Sequence, residues 1–235
     1  MLIREEQDGS FLAIGQASHA WLSGQLARAW GNERFGDVEP WEEVCLGAEQ
    51  HDVGWAEWDL DPEIDPDTGR PHTFISLPLS QKIELWSAAA RKLISQSRYA
   101  ALLVSMHGTA LYERFPPDDA EGKRLVQRFL DEQHALQRKL GEGLDPEQVR
   151  RNQKLLFAWD YISLALCLDW APAQVKDVPT ADEPVTLELS EEGELDPWPF
   201  RVEHVPLKVE ARRLDGGSFE DAEPLTLEFA LRSRR

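Results

Sequence analysis

The chain predicts a mainly α fold, a bundle of about six helices with a small antiparallel β-sheet formed by the C-terminal segment, which the N-terminal hairpin is free to join. Three observations carry this expectation. Apolar residues recur at helical spacing through most of residues 18–170. Apolar and polar residues then alternate at period two in VTLEL, FRVEHVPLKVEA and LTLEFAL. A turn sequence, Gln7-Asp8-Gly9-Ser10, separates two short apolar runs at Leu2–Glu5 and Phe11–Ile14.

Taken in order, the two opening runs read as a β-hairpin. A first helix is expected over 18–30, with Trp21, Leu22, Gln25, Leu26 and Ala29 at helical spacing and Gly31-Asn32 closing it. A second should begin at Pro40, suited to a first helical position, and end at Gly54. Residues 57–79 carry four prolines and a block of acids without periodicity, so they read as a long ordered loop pinned by Phe74, Ile75 and Leu77. Further helices are expected over 80–97, 100–115, 118–140 and 146–170, separated by Pro116-Pro117 and Gly141-Glu142-Gly143. The stretch APAQVKDVPTADEP reads as a Pro-rich connector before the strands. This divides the chain into a helical domain at 1–172 and a β appendage at 173–235 packed on it.

At 235 residues and 42% hydrophobic content the chain is long enough to bury a core. Its formal net charge of −18 argues against nucleic acid and anionic membranes as partners, since both repel it. Cys45 and Cys167 lie in apolar helical patterns and read as reduced core thiols. No stretch resembles a signal peptide or a bilayer span, so a cytoplasmic location is expected. The open strand edge of the C-terminal segment is a candidate homodimer contact.

The chemistry concentrates in His19, the adjacent pair His51-Asp52, His107 and Asp160. Imidazole nitrogens and carboxylate oxygens gathered in one pocket would hold a divalent ion and activate its water. The pair alone carries little weight. His19 has the alternative of a buried imidazole bonded to a backbone carbonyl, and Asp52 that of a solvated residue at a helix end. His107 and Asp160 are harder to explain otherwise. They sit in ALLVSMHGTAL and LLFAWDYISLALCL, where an imidazole and a carboxylate need partners if buried. A metal is one solution; a buried polar network is another.

Around these residues, Gln16 and Gln50 are candidates to orient the imidazoles. Trp55 offers an aromatic wall, and His72 with Arg70 on the long loop offers a cap and an anion contact. The acids Asp59, Asp61, Glu63, Asp65 and Asp67 lack the glycine and spacing of an EF-hand and read as a charged surface loop. No P-loop, dinucleotide fingerprint or nucleophile elbow is present.

The order H, HD, D on successive helices resembles the HD-domain superfamily of metal-dependent phosphohydrolases. Over nearly the whole chain, QASHAWLSGQLARAWGN, EQHDVGWAEWD, PDTGRPHTF, SMHGTALY and WDYISLALC resemble an uncharacterised bacterial family known as a domain of unknown function. The superfamily resemblance implies metal ligands at His19, His51, Asp52 and Asp160, with His107 a further ligand or a phosphate-facing residue; for a hydrolase, His107 or a nearby acid would handle protons. The ion expected is Mn, Fe, Zn or Ni. The substrate implied is a phosphate ester or phosphoanhydride of a small molecule. Two alternatives stay open: a non-catalytic regulatory domain with a buried polar network, and a diiron oxygenase of the same helical type.

Overall fold

A computed structural model describes residues 1–214, 219 and 222–234. It opens with strands β1 (Leu2–Glu5) and β2 (Phe11–Ile14), followed by helices α1 (Gln16–Ala29) and α2 (Trp41–Glu49) and a 3₁₀ turn at Val53–Trp55. A two-residue ladder, β3 (Ile64–Asp65) with β4 (Arg70–Pro71), lies in the long loop. Helices α3 (Leu79–Leu93), α4 (Arg98–Arg114), α5 (Ala120–Leu140) and α6 (Pro146–Cys167) follow. The chain closes with strands β5 (Ala173–Val178), β6 (Val185–Leu189), β7 (Glu194–Asp196), β8 (His204–Leu214) and β9 (Glu223–Ser233).

Local chemistry explains the later helix starts. Ser97 caps α4 by accepting the Ala100 N–H, Asp119 caps α5 through the N–H groups of Glu121 and Gly122, and Asp145 caps α6 ahead of Pro146. Helix α5 is polar on one side and buries Val126, Phe129, Gln133 and Leu140 on the other.

The expectation of a mainly or wholly α molecule with a small antiparallel sheet is overturned. Seven strands form one sheet in the order β1-β2-β8-β9-β7-β6-β5, and the β7–β9 pair is parallel, so the fold is α/β with a mixed sheet. Two features hid this. Strand β5 lies inside the Pro-rich stretch read as a connector, where Val175 and Val178 are buried on either side of an irregular register. Strand β7 has only three residues, too few to display alternation. The opening hairpin does join the sheet, with β2 pairing to β8.

The sheet is wet on one side. Along β8, Val205, Leu207, Val209 and Ala211 are buried while Pro206, Lys208 and Glu210 are exposed. The buried side shares a single apolar core with α1, α2, α4 and α6, built from residues such as Leu22, Leu103, Leu155, Leu187 and Leu207. At its centre Trp30 packs edge-on against Phe35, Trp159 and Phe200 at 5.5, 5.7 and 5.5 Å between ring centres. Helices α1 and α2 cross closely, because a Cβ on Gly24 would stand 2.7 Å from the Glu49 Cβ. This contact brings His19 on α1 towards the end of α2. Cys45 and Cys167 are both free and buried. Among the described residues no helix is long and apolar enough to cross a membrane.

Candidate metal centre

The adjacent residues His51 and Asp52 converge because the helix ends before them. Consecutive helical residues point about 100° apart and would diverge. Helix α2 stops at Glu49, Gln50 leaves helical geometry at φ −115°, and Asp52 (φ −103°, ψ 17°) leads into the 3₁₀ turn. Gly54 makes the turn fit, since a Cβ there would run into the Leu85 carbonyl of α3. The expected helix to Gly54 is therefore two short pieces, and the break aims both side chains inward.

His19, His51, Asp52, His107 and Asp160 come from four segments and meet in the interior. Asp160 is 7% exposed and the other four are 2% or less. His19 Nε2 lies 2.8 Å from Asp52 Oδ2 and 3.7 Å from Asp160 Oδ1. His51 Nε2 lies 3.4 Å from each of the same oxygens. His107 Nε2 is 3.6 Å from Asp160 Oδ2, and its ring stands edge-on to His51 at 4.8 Å. Asp160 thus touches all three histidines.

Hydrogen bonds fix which nitrogens face inward. The His51 Nδ1–H donates to the Ala48 carbonyl at 2.9 Å, and a carbonyl only accepts, so Nε2 bears the lone pair of the neutral ring. His19 Nδ1 meets Ser163 Oγ at 2.7 Å. Ser163 donates its single proton to the Asp160 carbonyl at 2.8 Å, so it accepts from His19 Nδ1–H; Nε2 then carries the lone pair in the neutral ring and donates to Asp52 Oδ2 when the ring is protonated. Ser23 Oγ–H supports Ser163 at 3.0 Å. With neutral rings both Nε2 lone pairs face carboxylate oxygens, an arrangement that either a proton on Nε2 or a metal ion relieves. His51 Nε2, Asp52 Oδ1 and His107 Nδ1 are buried without partners.

The carboxylates draw positive charge to His51, as a proton when no metal is bound. Burial opposes charging His51, but the Asp52 and Asp160 carboxylates outweigh it and pull its pKa up to about 9. Burial likewise raises Asp160, yet the three imidazoles bring it down to about 2. His107, wedged 4.5 Å from the Phe157 ring, is lowered by burial to about 4 and stays neutral. Neither buried carboxylate contacts a Lys or Arg among the described residues, so the positive charge they draw in is a proton on an imidazole or a metal ion.

The residues fit a metal ion. His19, His51 and Asp160 each offer one ligand atom, all within 4.8 Å of one another, so this buried group can hold an ion. Ligand atoms at about 2.1 Å from an ion stand roughly 3.0–3.4 Å apart at neighbouring corners of its shell. Asp52 lies outside that three-membered group but contacts both of its imidazoles through Oδ2.

The remaining candidates are placed variously. Gln16 stands one turn before His19, buried, with Oε1 unpartnered. Gln50 caps α2, its carbonyl accepting the Val53 N–H. Trp55 is buried and packs edge-on against Trp58 at 5.8 Å. Arg70 stacks on the Phe11 ring and His72 bonds Ser76 Oγ, and neither contacts the cluster among the described residues. Asp59, read as part of a surface acidic block, is partly buried, and desolvation pushes its pKa up to about 6.

The family model described as "Protein of unknown function (DUF3891)" matches residues 1–216. The chain belongs to this family. No curated protein and no solved structure matches it.

Proposed function

We propose that the chain is a metal-dependent hydrolase that cleaves a phosphate ester or phosphoanhydride of a small molecule. The observation that carries this is the buried group of His19, His51 and Asp160, whose ligand atoms lie within 4.8 Å of one another, with His51 Nε2 turned towards two carboxylates by the Ala48 carbonyl. The H, HD, D order resembling the HD superfamily supports the phosphate class. His19, His51, Asp52 and Asp160 would hold a Mn, Fe, Zn or Ni ion. When bound, such an ion supplies a Lewis acid and lowers the pKa of water in its shell.

The chain's own residues divide the rest of the work. Ser163 and Ala48 hold the two imidazoles in one tautomer. His107, neutral and desolvated, is placed to take a proton at Nε2 beside Asp160. Asp160 is the least buried of the five, so a substrate would approach from its side. The Gln16 Oε1 would accept a hydrogen bond from water or substrate. The phosphate would rely on the ion for its positive charge.

A second reading, a non-catalytic regulatory domain, is favoured by one observation: the near-complete closure of the cluster, since catalytic metal sites keep an open position. Elemental analysis joined to a phosphate-release assay separates the two. Purified protein loaded with Mn, Fe, Co, Ni or Zn is tested on nucleotides, sugar phosphates and p-nitrophenyl phosphate. One ion per chain, with turnover at least about 100-fold lower in His51→Gln and Asp160→Asn, is expected for the hydrolase. Metal-loaded protein that releases phosphate from none of them overturns the hydrolase in favour of the regulatory reading.

A further inference from the structure

Helix α1 begins without help from its own sequence. Its N-cap is Gly15, which has no side chain, and its first turn contains no acid. The missing acceptor comes from elsewhere: the Ala17 N–H donates to Asp59 Oδ2 at 3.1 Å. Gly15 permits this approach, because a Cβ there would stand 2.9 Å from the same oxygen.

Asp59 is tied to the metal cluster through its own backbone. The Trp55 N–H donates to the Asp52 carbonyl at 2.9 Å, and the Asp59 N–H donates to the Trp55 carbonyl at 2.8 Å. One short turned segment therefore carries two carboxylates to α1. Asp52 Oδ2 meets His19 Nε2, and Asp59 Oδ2 holds the backbone two residues earlier. On its far side the segment is pressed against α3 at Gly54. The first turn of α1, and with it His19, is gripped at two points by one rigid piece of chain.

We propose that Asp59 is a positioning residue of the metal centre, clamping the first turn of α1 so that His19 Nε2 is held against Asp52. The inference rests on the metal reading above and adds to it a residue that touches no ligand atom. A neutral acceptor at position 59 preserves the clamp, since Asn caps a helix about as well as Asp. A methyl group does not.

Cobalt(II) serves as the probe, through its dissociation constant and its visible d–d absorption, alongside the Tm of the metal-free protein. Asp59→Ala is expected to weaken cobalt binding about 10- to 100-fold and to alter the band pattern as His19 drifts. Asp59→Asn is expected to stay within about threefold of wild type with unchanged bands. Gly15→Ala, which pushes a Cβ against the carboxylate, is expected to weaken binding as Asp59→Ala does; together with the Asn variant it decides the matter should the Ala variant fail to fold. Wild-type affinity in Asp59→Ala or Gly15→Ala overturns the clamp while leaving the metal site standing. An Asn variant as weak as Ala also overturns it, because Asp59 would then act as a distant charge. Wild-type protein that binds no cobalt overturns the metal reading and the clamp together.

Discussion

At the scale of single residues, the site is governed by the partners of the imidazole nitrogens that face away from it. The Ala48 carbonyl and Ser163 hydroxyl take the Nδ1 protons of His51 and His19, and this sets which atoms face the pocket. Ser163→Ala is expected to cost about tenfold in metal affinity and roughly 1–3 kcal/mol of stability from the stranded Nδ1–H, measured by titration calorimetry and thermal melts. His107 gives a pH signature. Its folded pKa of about 4 lies below the ordinary 6.5, so its contribution to stability is fully present above pH 6.5 and is lost as pH falls towards 4. In EDTA-treated protein, the Tm of wild type relative to His107→Gln is expected to fall across that interval; a constant difference contradicts it. Asp59 acts with the opposite sign between 3.8 and about 6, but it is common to both proteins and cancels. Burial pushes the Cys45 and Cys167 thiols up to about 11 and about 12, so neither should react with a thiol reagent at pH 7 until the protein unfolds. His107 and Asp160 were conspicuous in the sequence because each is a polar residue set in an apolar helix. Ser163 and Ser23 left no such signal, since a serine in a helix is unremarkable until its partner is known. Asp59 was masked by the acids around it.

Elements succeed or fail as signals according to length. The four later helices were legible to within a few residues at most ends because their apolar spacing runs over four turns or more and Ser97, Asp119 and Asp145 mark three of the starts. The end of α2 was not, since the contact that ends it lies on α3: Gly54 against the Leu85 carbonyl. Gly54→Ala is therefore expected to cost at least about 2 kcal/mol, a fall of roughly 4–8 °C in Tm, and to weaken metal binding by displacing His51 and Asp52. An unchanged Tm would mean that the turn is free to shift. Strands β5 and β7 escaped detection for local reasons, prolines in one case and brevity in the other.

For the whole molecule, the sheet is structural support for the helices. Leu187, Leu189, Leu195, Val205, Leu207 and Val209 belong to the same core as the helices that carry the site. A chain ending at Pro172 loses that wall and is expected to show no cooperative thermal transition; a sharp melt would make 1–172 an autonomous domain. The hairpin's entry into the sheet through β2 and β8 was open from the sequence, whereas the unread strands β5 and β7 enlarge the sheet and make it mixed, which is why the α content was readable and the α/β class was not. The central claim concerns the interior that this architecture encloses. Anomalous X-ray scattering at the absorption edge of the metal found by elemental analysis tests it most directly. The expected result is one peak per chain bounded by His19 Nε2, His51 Nε2, an Asp52 oxygen and an Asp160 oxygen, absent in His51→Gln. A folded, metal-equilibrated protein with no peak among these atoms would contradict it.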